Sequence, residues 1–261
     1  MSETHTLAAT TAEICVHTPG VFVWHELATK DPVKAQKFYG DLLGWTIKTV
    51  EMPGMEYHLI HVGDKQIGGM REEQNDAIPP HWLSYVSVPD VDAAAATAKT
   101  AGGQVMAGPM DIPNIGRFAV VIDPQGAAVA LYKDAKGDPD TTGEPALGEF
   151  VWDQLNTTDI AAGAAFYEKV VGWTSVTHGP DGGMFKYGDL HEASFMTAPA
   201  GVPSHWLTYL SVADLGAATQ KAESLGAKIL MANMDAGEFG RFTVIQDPIG
   251  AFVALFQGHD H

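Results

Sequence analysis

The chain has 261 residues, with 15 Lys plus Arg against 32 Asp plus Glu, a formal net charge of −17, and one cysteine. An apolar fraction of 46% with 18% charged residues argues against disorder for the bulk of it, and the length predicts two domains. The negative field disfavours nucleic-acid backbones and anionic membrane surfaces as partners, and Cys15 alone cannot close an intrachain disulfide.

Taken in chain order, the N-terminal arm (1–19) carries no basic leader, and its mild apolar stretch is broken by Thr10, Thr11 and Glu13. It predicts neither a secretory signal nor a membrane anchor, so the expected location is the cytoplasm. Residues 21–29 form an apolar run suited to a strand. Asp31-Pro32 reads as an N-cap followed by proline at the first helical position; Ala35, Phe38 and Leu42 then fall at helical spacing until Gly44. Residues 57–62 and 66–70 read as short strands joined at Gly63-Asp64, and 82–88 as another. Asp90 caps an Ala-rich helix over 91–101 that Gly102-Gly103 stops. Residues 117–122 and 127–132 flank Asp123-Pro124-Gln125-Gly126, a hairpin turn sequence.

The chain is then written a second time. FVWHELATKDPVKAQKFYGDLLGWT at 22–46 returns as FVWDQLNTTDIAAGAAFYEKVVGWT at 150–174, an offset of 152 − 24 = 128. HWLSYVSVPDVDAA from His81 returns from His205 at an offset of 124, and the gapless alignment of 81–131 with 205–255 agrees at 24 of 51 positions. The lost four residues shorten the counterpart of 47–80. This predicts a first domain over 20–134, a polar Gly/Pro linker over 135–146 and a second domain over 147–258. Each domain reads as two βαβββ modules.

The order of elements, with D-x(6)-FY-x(3)-LGW after the first strand and DPxG before the last, resembles the vicinal oxygen chelate superfamily of glyoxalases, bleomycin-resistance proteins and extradiol dioxygenases. The matching residues are Asp31, Phe38, Tyr39, Leu43, Gly44 and Trp45. In the second copy they are Asp159, Phe166, Tyr167, Gly172 and Trp173, with Val171 in place of Leu; Asp123-Pro124-x-Gly126 and Asp247-Pro248-x-Gly250 complete the set. The resemblance covers nearly all of 20–257. It implies an α+β fold of two tandem domains, each a curved, cup-like mixed sheet of paired modules. The tandem domains could pair within one chain, giving a complete monomer, or the chain could form a homodimer. The resemblance also implies a divalent metal held by residues of three strands. Counting from the landmarks, those positions are Trp24, Leu83 and Ala130 in the first copy and Trp152, Leu207 and Ala254 in the second, none of which can ligate a metal. No cofactor is therefore expected.

Strand parity places Glu26, His81 and Tyr85 on the face of Trp24 and Leu83, with Gln154, His205 and Tyr209 as counterparts. Aromatic walls with a few polar groups suit a small apolar or aromatic molecule, stacked on Trp24 or Trp152 and oriented by the rest. Glu26 could then act as a general base, its pKa raised by burial between Trp24 and Tyr85. The alternative is a metal-dependent lyase, isomerase or dioxygenase whose site has moved to Glu26 and His81, with His58 or His61 as third ligand; the second copy offers only Gln154, His205 and His191. A third reading is an interaction protein whose cups are filled by their own tryptophans. Arg117 and Arg241 could grip an anionic ligand group, although ion pairs of Arg117 with Asp111 or Asp123, and of Arg241 with Asp235 or Asp247, are the favoured expectation. Met106, Met110, Met231 and Met234 read as gap-fillers. Cys15 lacks the context of a nucleophile, and His259-Asp260-His261 reads as a loose tail.

Overall fold

The computed structural model describes residues 16–52, 54–140 and 143–259. Cys15, Asp260, His261 and the side chain of His191 lie outside what it describes.

The first half runs β1 (Phe22–Thr29), α1 (Pro32–Leu43), β2 (Thr46–Met52), β3 (Met55–Val62) and β4 (Lys65–Glu72). It continues as β5 (His81–Ser87), α2 (Val91–Thr100), β6 (Gln104–Ile112), β7 (Gly116–Ile122) and β8 (Ala128–Asp134). The second half repeats the order with β9 (Phe150–Thr157), α3 (Ile160–Val170), β10 (Thr174–Thr177), β11 (Gly182–Tyr187) and β12 (Leu190–Thr197). It closes with β13 (His205–Ser211), α4 (Leu215–Ser224), β14 (Lys228–Asp235), β15 (Gly240–Gln246) and β16 (Phe252–Gly258). Each half forms one eight-stranded mixed sheet, ordered β2-β3-β4-β1-β5-β8-β7-β6 and β10-β11-β12-β9-β13-β16-β15-β14.

Local sequence explains the elements. The Asp31 carboxylate accepts from the Lys34 amide at 2.9 Å, Pro32 opens α1, and Gly44 ends it at φ 75°, where a Cβ would be strained. Asp90, Asp159 and Asp214 cap the other helices in the same way. Strands β2 and β6 escape the sequence reading. Both are outer strands of their sheet with no buried residue, so neither carries a clear alternation of apolar and polar positions.

The two sheets turn their helix-bearing faces toward each other, and the core is shared between the halves. One cluster joins Val86, Ala95, Ala98, Val121 and Leu131 to Phe166, Tyr167, Trp173, Phe185 and Phe195. Its pseudo-symmetric mate joins Leu27, Phe38, Tyr39, Trp45 and Met70 to Leu210, Leu215, Ile245 and Leu255. The repeated motifs serve this junction. Trp45 donates to the Gly148 carbonyl at 2.8 Å and Trp173 to the Gly20 carbonyl at 2.9 Å. The Tyr39 hydroxyl donates to Asp247 at 2.9 Å and the Tyr167 hydroxyl to Asp123 at 3.2 Å, so each domain's helix holds the turn before the other domain's last strand. Near the middle, where the repeat sets position 25 against 153, His25 Nε2 lies 2.9 Å from Asp153, and Ser84 donates to the same carboxylate at 2.6 Å. His25 also stacks on Phe150 at 4.0 Å.

Candidate ligand-binding cups

Because side chains alternate across a strand, the residues between those that enter the shared core line the opposite face of each sheet. In the first domain that face gathers Leu83, Tyr85, Ala130 and Tyr132, all buried, with half-buried Trp24, Phe118 and Val120 around them. In the second it gathers Leu207, Tyr209, Val244 and Ala254 with Trp152, Phe242 and Phe256. The innermost layer is packed shut. The tryptophans and phenylalanines one layer out are only half-buried.

In the first cup Glu26 is 7% exposed, and it sits in a network that sequence reasoning did not find. Arg71 Nε donates to its Oε1 at 2.9 Å, and the Tyr57 hydroxyl donates to its Oε2 at 2.9 Å while accepting from Trp24 Nε1 at 3.0 Å. Arg71 also reaches Glu73 at 3.0 Å. Burial, and then the Glu26 charge, pushes the phenols of Tyr57 and Tyr85 well above their usual range, so both remain neutral donors. Glu26 is thus a paired carboxylate, with Arg71 on one oxygen and Tyr57 on the other. Gly69, opposite Glu26 on β4, leaves room for this arrangement, because a Cβ there would run into the Tyr57 ring. The signal was weak: Tyr57 and Arg71 come into line only through the pairing of β3 with β4, and the expected strand over 66–70 stops one residue short of Arg71.

The second cup is built on the same frame without charge. Gln154 stands for Glu26, Ser194 for Gly69 and Met196 for Arg71, while Gly182 takes the place of Tyr57. Trp152 Nε1 donates to Ser194 at 2.9 Å, and Ser194 and Tyr209 donate to Gln154 Oε1 at 3.4 and 3.2 Å. Gln154 Nε2 donates to Asn156 Oδ1 at 3.0 Å, and the Asn156 amide lies 3.4 Å from His205 Nε2.

The remaining candidates fall elsewhere. His81 and His205 sit at the strand starts, each ring Nδ1 2.9 Å from a proline carbonyl two residues back, and His81 makes no bond to Glu26. His58 pairs with Met70 on the core face and contacts Thr49, so it lies on the side of the sheet opposite Glu26, while His61 Nδ1 turns to the Leu59 carbonyl. Among the described residues no three His, Cys, Asp or Glu side chains gather as a metal site, and the displaced ligand set around Glu26 and His81 is not brought together. Arg117 is held by Asp92 through two bonds of 2.7 and 2.9 Å and by Asp111 at 2.8 Å. Asp111 was an expected partner; Asp123 instead caps its own turn and meets Tyr167. Arg241 has Gly216 where Asp92 would be and forms no ion pair among the described residues, with Asp235 bound to the Gly237 amide and Asp247 to its own turn. It lines a surface cavity of about 340 Å³ with Asn233, Gln257 and His259. Neither arginine belongs to a cup cluster; the adjacent Phe118 and Phe242 do. The methionines are not gap-fillers. Met110 and Met234 pair with Phe118 and Phe242, and all four methionines are exposed, because they stand on outer strands with nothing packed over them.

The description of the glyoxalase/bleomycin resistance protein/dioxygenase superfamily matches residues 21–131 and 147–255. The chain belongs to that superfamily. CFP32 of Mycobacterium tuberculosis (strain CDC 1551 / Oshkosh), named provisionally as a glyoxylase, is 33% identical over 244 residues, covering 90% of this chain and 93% of its own. The anthracycline biosynthesis protein DauV of Streptomyces sp. (strain C5) is 30% identical over 254 residues, covering 89% and 91%. The fold is shared with the Mn(II)-bound glyoxalase of Novosphingobium aromaticivorans at a TM-score of 0.64 and 15% identity, covering 92% of this chain and 82% of that one. It is shared also with homoprotocatechuate 2,3-dioxygenase of Arthrobacter globiformis at 0.65 and 16%, covering 97% and 84%. No described helix is long and apolar enough to cross a membrane. By the resemblance, the divalent metal typical of superfamily members would fall at the positions occupied here by Trp24, Leu83 and Ala130, and by Trp152, Leu207 and Ala254. Indole, isobutyl and methyl groups supply no donor to such an ion, so these residues do not fit it.

Proposed function

We propose that this superfamily member binds a small apolar or aromatic molecule against the outer layer of its cups, without a resident divalent metal. The observation that supports the reading most directly is the content of the six inherited metal positions, two Trp, two Leu and two Ala. With donors replaced by carbon surface, the cups offer stacking and dispersion rather than coordination. Half-buried Trp24 and Trp152, beside Phe118 and Phe242, give flat apolar walls, and exposed Met110 and Met234 on the same faces give polarizable side chains that adapt to irregular ligands. The names of the Streptomyces relatives, which refer to anthracycline biosynthesis, make fused-ring aromatics the first probes to try. The two domains pair within one chain, so a monomer suffices for this role.

Tryptophan fluorescence titrated with a panel of planar aromatics tests the reading. Saturable quenching, with loss of part of it in Trp24→Ala or Trp152→Ala, is expected. So is less than one equivalent of Zn, Mn, Fe or Ni per chain, in protein purified without added metal or a histidine tag. Stoichiometric metal lost in His81→Ala would instead establish the displaced metal site. Absence of quenching by any member of the panel would leave the cups as filled packing.

A further inference from the structure

We infer that the two cups are not equivalent, and that the second alone takes the ligand, a neutral planar aromatic bearing a hydrogen-bonding oxygen. The inference rests on the reading of the cups as ligand sites and assigns that role to one of them.

In the first cup the polar groups are already saturated by charged or rigid partners. Both oxygens of Glu26 are taken, one by Arg71 and one by Tyr57, and Tyr57 also occupies the indole N–H of Trp24. The Tyr57 ring lies across Gly69, over the strand that would floor the ligand space. A ligand entering here has to displace the phenol or separate a half-buried ion pair, and a charge left uncompensated in that environment is unfavourable.

The second cup has lost all three obstacles. Gly182 stands where Tyr57 stands, Met196 where Arg71 does, and Gln154 where Glu26 does. Exposure follows the exchange: Gln154 and Ser194 are partly open where Glu26 and Gly69 are buried, and Met196 is 40% exposed. Its internal bonds are neutral, and two of them, at 3.4 and 3.2 Å, are long. Neutral bonds exchange for ligand bonds at little net cost, whereas charged ones do not. Met184, paired with Ser194, and Met196 leave an apolar, deformable margin beside Trp152. An amide and two hydroxyls at the base of an aromatic wall suit a phenol hydroxyl or a quinone carbonyl. They offer no countercharge to a carboxylate, and the chain's net charge of −17 opposes one.

Equilibrium dialysis of the intact chain against naphthol, with naphthoate as its anionic counterpart, separates the possibilities. One naphthol per chain and at least tenfold weaker naphthoate binding are expected. Gln154→Leu, and Met196→Arg at its exposed position, should each weaken naphthol at least tenfold. Two naphthols per chain would overturn the assignment, as would loss in Trp24→Phe with Met196→Arg unaffected, or naphthoate binding as well as naphthol. In each of those results the cups remain ligand sites and only the choice between them fails. No binding of either compound to the parent chain would overturn both.

Discussion

Arg71 and Glu26 set the character of the first cup more than the residues that replace the inherited ligands. A carboxylate only 7% exposed is tolerable because a guanidinium and a phenol meet both of its oxygens. Arg71→Met should therefore destabilise the fold by about 2–4 kcal/mol, less than a fully buried pair because the arginine side chain is itself 28% exposed. Glu26→Gln combined with Arg71→Met should recover most of that loss, since the pair so altered is the pair the second cup already carries, Gln154 and Met196. Urea midpoints of the four chains check this. Equal losses in the single and double variants would mean that Arg71 acts through packing and not through charge. The position of Glu73 belongs to the same network: burial pushes its carboxyl up, but the Asn75 amide and Arg71 outweigh that and hold it below the usual range.

Among the elements, the turns before β8 and β16 do the most for their length. Asp247 accepts from the amides of Ile249, Gly250 and Ala251 through one oxygen and from Tyr39 of the other domain through the second. Burial nevertheless dominates and holds the Asp247 carboxyl above its ordinary range. A carboxyl raised in the folded state binds its proton more tightly there. Its contribution is fully present below the unfolded pKa and is lost as the pH rises through the folded one. The parent chain should thus lose denaturant stability relative to Asp247→Asn as the pH rises from about 4, the ordinary carboxylate value, into the neutral range. A gap that stays constant over that interval would contradict the raised carboxyl. The turn itself was legible in the sequence as DPxG, and the caps and glycine stops placed the helices, because each is a local instruction carried by two or three adjacent residues. What stayed hidden was non-local. Tyr57 and Arg71 reach Glu26 only once β3, β4 and β1 are in register, and nothing near Tyr39 in the sequence announces that its hydroxyl will meet an aspartate 208 residues away.

At the scale of the whole molecule, the shared core makes the two domains a single packing unit: the clusters on either side of the junction each draw on both halves. His25 and Asp153 occupy repeat-related positions, 5% and 2% exposed, and they face each other across it. His25→Asp would place two carboxylates together in a dry setting, and Asp153→His two imidazoles; each should cost roughly 2–4 kcal/mol. The exchanged chain, carrying both His25→Asp and Asp153→His, restores a complementary pair and should lie well above either single variant in thermal midpoint. Strict additivity of the two losses would show that the contact contributes nothing beyond its separate parts.

A single-domain ancestor that assembled as a symmetric pair could not have put a base on one side of such a seam and an acid on the other, since one gene would write both. Joining two copies end to end removes that restriction. Once every equivalent position exists twice in the same polypeptide, mutation can specialise one without altering its twin. Residue 25 differs from residue 153 at the seam, and Glu26 from Gln154 just beside it, as a joined chain allows and a symmetric pair does not.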